Sequence, residues 1–203
     1  MTVTRRSLIA LSLSAPVLSF APRALAEEAG PITGDIVLGD ENAPVTVYEY
    51  ASLTCPHCAA FHRDTYPSVK ANYVDTGKVK FIMREVYFDR YGLWAAMVAR
   101  CGGEGAYYPI IDEYLKTQSS WTKDDDIVGA IRRVGVKAGL MPADIDACMN
   151  DEGFARTLVE RYQAQAEEHD VNSTPTFIIN GVRHRGNIGA TEFARILDEA
   201  LSS

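Results

Sequence analysis

The sequence predicts an α/β fold in which a four-stranded sheet is built from two halves separated by an inserted all-helical domain. Three observations carry that expectation. A β-branched and aromatic strand, "VTVYEYAS" (Val45–Ser52), runs directly into "CPHC", and a helix and a second strand follow it. Residues 89–170 then show helical segments only. Strand character returns at "TFIINGVRHRG", and an amphipathic helix closes the chain.

The first segment reads as an export signal. It has a basic pair (Arg5, Arg6), an apolar run from Leu8 to Phe20 and a small-x-small site at Ala24-Leu25-Ala26, so cleavage is expected after residue 26. "TRRSLI" also fits a twin-arginine signal, which leaves the export route open. Of 203 residues 47% are hydrophobic, enough for one substantial core. The net charge is -7. Removing Arg5, Arg6 and Arg23 takes it to about -10, a poor match for nucleic acid or an anionic membrane surface. The expected location is an oxidising compartment such as the periplasm.

Two discontinuous segments, 27–88 and 171–203, are expected to form the sheet domain. "DIVLG" is a candidate edge strand ahead of Val45–Ser52. The helix after the cysteines carries apolar Ala60, Phe61, Tyr66, Val69 and Tyr73, is kinked at Pro67 and ends at Gly77. Lys78–Phe88 is the second strand, parallel to the first. Within 89–170, helices are expected at 93–101, 107–116 and 124–138, a short one from Pro142, and a longer one across "EGFARTLVERYQAQAEEHD". Asn180-Gly181 marks a two-residue hairpin turn, and the last helix is expected to be capped near Thr191.

Cys55 and Cys58 admit three uses. A zinc site wants four converging ligands, whereas Cys101 and Cys148 lie far apart in sequence. A structural staple across four residues constrains little chain. A redox dithiol fits the strand-to-helix turn better. There Cys55 faces unpaired N–H groups and the positive end of the helix dipole. Pro56 suits the first helical position, and His57 can donate a hydrogen bond or carry charge beside the sulfur. A cysteine pKa lowered from ~8.5 into the ~3.5–7.5 range stabilises the thiolate by roughly 1–7 kcal/mol, which favours the reduced form and makes the disulfide an oxidant. Cys58, one turn in, reads as the resolving partner.

Two further positions join the candidate site. Pro175 stands directly before a strand. A cis Thr174–Pro175 bond there turns the chain beside the sulfurs, while a trans proline opening the strand fits the sequence as well. Glu49 is either a buried acid that shuttles protons to the sulfurs or an acid on a half-exposed strand face.

Together Cys55-Pro56-His57-Cys58, Phe61, Thr174-Pro175, Glu49 and "FIINGVRHRG" resemble the DsbA family of thiol:disulfide oxidoreductases, within the thioredoxin superfamily. The resemblance covers nearly the whole chain after the signal and implies a thioredoxin-like fold with an inserted helical domain. It implies a monomeric dithiol–disulfide oxidase acting on exported, folding proteins through a mixed disulfide at Cys55. A quinone-linked membrane partner would reoxidise it, and no cofactor or metal is expected beyond the cysteine pair. A disulfide isomerase or reductase is the alternative, although only Glu27 to Pro44 precedes the first core strand, short for the dimerisation segment that isomerases usually add. A metal- or peptide-binding module is the non-enzyme alternative. Thr174 replaces the valine of well-studied oxidases, and His62 stands where several members carry an acid. A subgroup carries a second disulfide at the positions of Cys101 and Cys148; bridging here would contribute roughly 4 kcal/mol, while two free thiols remain the other possibility.

Overall fold

The computed structural model describes residues 31–203, so the expected signal peptide lies outside the described residues. The sheet has five strands: β1 (Val37–Leu38), β2 (Val45–Ala51), β3 (Val79–Glu85), β4 (Thr176–Ile179) and β5 (Val182–Arg185), in the order β1-β3-β2-β4-β5. The expected count of four is corrected by β1, a two-residue strand that pairs antiparallel with β3. It falls within "DIVLG", the candidate edge strand of the sequence. β2 and β3 are parallel, and β2 pairs antiparallel with β4 on its other side.

Side chains alternate across β2. Val45, Val47 and Ala51 enter the main core, whereas Tyr50 joins a smaller cluster with Val86 and Ile178 on the opposite face. Glu49 shares the parity of the first set and is fully buried. Beside it Phe61, Phe177 and Phe193 pack with ring centroids 4.6–5.3 Å apart.

After β2 the chain forms α1 (Pro56–Asp64), then α2 (Tyr66–Val69) and a π-type turn (Lys70–Val74). The break falls at Thr65, ahead of Pro67 in the second helix. Between β3 and β4 lie α3 (Arg90–Cys101), α4 (Glu104–Lys116), α5 (Gln118–Trp121), α6 (Ile127–Lys137), α7 (Pro142–Met149) and α8 (Glu152–Glu168). α5 has only one turn and no sequence signal of its own. Asp126 caps α6, which delays its start past the expected residue 124. The Asn180-Gly181 turn has positive φ at both residues, 45° and 84°, as a type I′ hairpin requires. The closing helix α9 (Ala190–Leu201) is capped by Gly189 rather than Thr191, because Thr191 already lies inside the helix. Among the described residues no helix is long and apolar enough to cross a membrane.

The helical segment is tied to the sheet by a buried ion pair. Arg100 donates from Nε and Nη2 to the Glu85 carboxylate at 2.8 and 2.6 Å, and the Tyr107 hydroxyl donates to the same carboxylate at 2.7 Å. Arg100 also donates to the carbonyls of Ile32 and Gly34. Within the segment, Cys101 and Cys148 form a disulfide that joins the end of α3 to α7, with Cα atoms 6.4 Å apart.

Candidate active site

The turn Ser52–Cys55 brings the end of β2 to the start of α1. Cys55 is the N-cap of α1, with extended backbone, and Pro56 occupies the first helical turn. The Cys55 carbonyl accepts from the N–H groups of Cys58 and Ala59 at 3.1 and 3.2 Å, while its own N–H donates to the Ser52 carbonyl at 3.1 Å. Cys55 is half-buried; Cys58 is fully buried. Both are free thiols.

This placement separates the two sulfurs chemically. The Cys55 pKa is lowered from the ordinary 9.0 to about 5. The largest cause is a hydrogen bond from the Cys58 thiol. Burial works against the shift, and the Thr174 side chain and the N–H groups of Cys58 and His57 reinforce it. Cys58 is driven the other way, because its thiol donates a hydrogen bond to Cys55, is desolvated, and feels the negative charge of Glu49. A half-buried sulfur that favours the thiolate thus sits beside a buried thiol.

The loop before β4 closes the site. The Thr174–Pro175 bond is cis, and the Thr174 carbonyl lies 3.6 Å from the Cys55 sulfur. His57 is exposed, and it acts on Cys55 through its backbone N–H. Glu49 is 0% exposed and lies 2.8 Å from His62 Nε2, itself only 2% exposed. Glu49 Oε1 and His62 Nδ1 have no hydrogen-bond partner among the described residues. The structure therefore gathers Cys55, Pro56, Cys58, Thr174 and Pro175 around one turn, with Pro56 exposed, Cys55 and Thr174 half-buried, Cys58 and Pro175 buried, and Glu49 buried with them. Cys101 and Cys148 belong to the helical segment. Among the described residues no three His, Cys, Asp or Glu side chains converge as metal ligands.

Gln118, Thr54 and Asp89 were not foreseen from the sequence. Gln118, buried in α5, donates from Nε2 to the carbonyls of Leu53 and Cys55 at 2.8 and 2.9 Å. Thr54 donates to Asp89 Oδ2 at 2.6 Å, while Asp89 Oδ1 caps α3 by accepting from the N–H groups of Tyr91 and Gly92. His62 pairs with Glu49. His62, already marked in the sequence as standing where several family members carry an acid, follows Cys58 by four residues and so shares its helix face.

A family profile described as Thioredoxin matches residues 32–199. The chain belongs to the thioredoxin family, as a DsbA-like member. The solved structure of α-DsbA1 from Wolbachia pipientis superposes with a TM-score of 0.79 at 29% identity, covering 85% of this chain and 93% of that one. BdbD from Bacillus subtilis, at 22% identity and a TM-score of 0.76 over 85% of this chain and 96% of that one, shares the fold. A Rickettsia typhi protein named "Putative protein-disulfide oxidoreductase" is 32% identical over 168 residues, 82% of this chain. The DsbA-like chain spans 62% of that relative's length.

Proposed function

We propose that this DsbA-like protein is an exported dithiol–disulfide oxidase that donates a Cys55–Cys58 disulfide to folding proteins in the periplasm. The observation that carries the reading is the opposition of the two sulfurs: Cys55 lowered to about 5 at the helix N-terminus, Cys58 buried and raised. A stabilised Cys55 thiolate favours the reduced enzyme, so the disulfide readily takes electrons from a substrate. The names of the Rickettsia relative and of Bacillus subtilis "Disulfide bond formation protein D", 26% identical over 73% of this chain, support the same chemistry.

In the proposed cycle a substrate thiolate attacks Cys55. A mixed disulfide forms, the Cys55–Cys58 bond breaks, and Cys58 leaves as a thiolate that takes up a proton. A second substrate thiolate then attacks the substrate sulfur of the mixed disulfide. The substrate leaves with a disulfide, and the enzyme retains the electron pair as a dithiol. The Thr174 carbonyl beside Cys55 offers an acceptor to an extended substrate backbone. Glu49 serves as the proton partner of Cys58. Reoxidation falls to a quinone-linked membrane partner, and the enzyme works as a monomer.

Equilibration with glutathione buffers tests this reading through the Cys55–Cys58 reduction potential. The expected value lies well above the thioredoxin range. A value near about -270 mV would instead mark a reductase.

A further inference from the structure

We propose that His62 is a positioning residue for the redox step, holding with Glu49 a single shared proton that is exchanged with Cys58 whenever the Cys55–Cys58 disulfide opens or closes. This deepens the proposed function and rests on it for the role of Glu49.

The geometry defines the pair. Nε2 and Oε2 are 2.8 Å apart, and both residues are sealed from solvent at 2% and 0% exposure. A separation of that length holds one proton on the line between nitrogen and oxygen. With one further proton on the imidazole the pair is neutral in total, as imidazolium with carboxylate or as imidazole with carboxylic acid. Loss of one proton leaves a buried negative charge with no other counterion among its hydrogen-bond partners, which is costly but reversible. The pair is thus built to give up and regain one proton.

Its surroundings direct that proton toward Cys58. On α1, Cys58 precedes His62 by four residues and lies on the same face. From β3 and β4 the residues in register with Glu49 are Met83 and Phe177, neither of which titrates. From α2, Tyr66 lies 4.5 Å from the imidazole centroid, and from α4 Tyr108 responds to the charge of Glu49. Burial raises both phenols above their ordinary range, so neither competes for the proton near neutral pH. Cys58 is the group left facing the pair that changes protonation in the redox cycle.

The step balances. As the enzyme disulfide opens, Cys58 leaves as thiolate and takes the proton of the pair, which stays deprotonated in the dithiol form. As it closes from a mixed disulfide, Cys58 gives its proton to the deprotonated pair and its thiolate attacks the Cys55 sulfur. The Cys55–Cys58 bond forms, the mixed disulfide breaks, and the leaving thiolate takes a proton from water.

The test uses the glutathione mixed disulfide of Cys55 in the otherwise intact protein. The rate of glutathione release is followed between pH 5 and 9 in wild type, His62→Gln and Glu49→Gln. His62→Gln keeps an N–H donor for Glu49 but carries no exchangeable ring proton. The expected result is slower closure at pH 7, by about tenfold or more, with a pH profile displaced from wild type. A His62→Gln profile that overlays wild type, with only a lower Tm, overturns the proposal. If Glu49→Gln then still slows closure, only His62 loses its role. If both variants close like wild type, the Glu49 assignment falls with it, while the reduction potential independently decides the oxidase reading.

Discussion

The Gln118 side-chain amide lies 2.9 Å from the carbonyl of Cys55, a residue 63 positions away in sequence. The same nitrogen donates to the carbonyl of Leu53, so one buried side chain of the helical segment holds the turn that carries Cys55 at two points. Thr54, between them, is held by Asp89 at the start of α3. The helical segment therefore does more than cover the sheet. It sets the backbone on which the Cys55 sulfur sits.

Gln118→Leu keeps the volume of the side chain and removes both donors. The Leu53 and Cys55 carbonyls then lose a buried partner, at a cost of about 1–3 kcal/mol. Freed carbonyl dipoles near the sulfur also disfavour the thiolate, so the Cys55 titration should move up from about 5. Urea unfolding and thiolate absorbance near the ultraviolet edge check the two parts separately. A drop in stability with an unmoved titration would leave Gln118 a purely structural clamp.

Cys58→Ala removes the largest single cause of the Cys55 shift, the hydrogen bond from the Cys58 thiol. The Cys55 pKa is expected to rise by about a unit or more while staying below 9.0, because the Thr174 side chain and the backbone N–H groups remain. The variant should also trap mixed disulfides with thiol substrates, visible by mass spectrometry. An unchanged titration would assign the lowering to the helix terminus instead.

The stability of the dithiol protein should depend on pH in a defined direction. The folded Cys55 pKa is depressed, so its stabilisation is fully present above the ordinary 9.0, shrinks as pH falls, and is gone below about 5. The disulfide form has no such titration. The Tm of the reduced protein minus that of the oxidised protein should therefore rise between pH 5 and 9. Above 9 the raised Cys58 thiol opposes it, since that group stays protonated in the fold where the unfolded chain ionises. Calorimetry of both redox forms at pH 4, 6 and 8 decides, and a constant difference refutes the assignment.

The Cys101–Cys148 disulfide joins residues 47 positions apart. Replacing both by alanine should destabilise the protein by about 4 kcal/mol in the chain-entropy picture, with smaller values where the unfolded chain retains structure. Guanidinium unfolding of the double variant measures this. An equal stability would mean that packing of Phe154 and Leu158 around Met97 already holds α3 against α8.

Much of the molecule was legible because its signals are local. The C-x-x-C spacing after a β-branched strand placed Cys55 at a helix start, and Asn180-Gly181 marked the hairpin through the positive φ it requires. Acids such as Asp126 and Asp151 mark helix starts, although Gly189 capped α9 where Thr191 was expected. β1 falls within the candidate edge strand "DIVLG", whereas α5 escaped because a single turn has no face to repeat.

The sequence by itself determined the chemistry available: two sulfurs on one helical turn, a proline at its first position and an acid in the preceding strand. Those depend on spacings of a few residues, which backbone geometry converts directly into proximity. Only the tertiary structure decided how that chemistry is held. Burial of Glu49, its pairing with His62 on a separate element and the reach of Gln118 to Cys55 arise where elements pack, and spacing along the chain does not encode which side chains meet there. Because a buried charge or carbonyl must find a partner, packing selected those partners from distant positions.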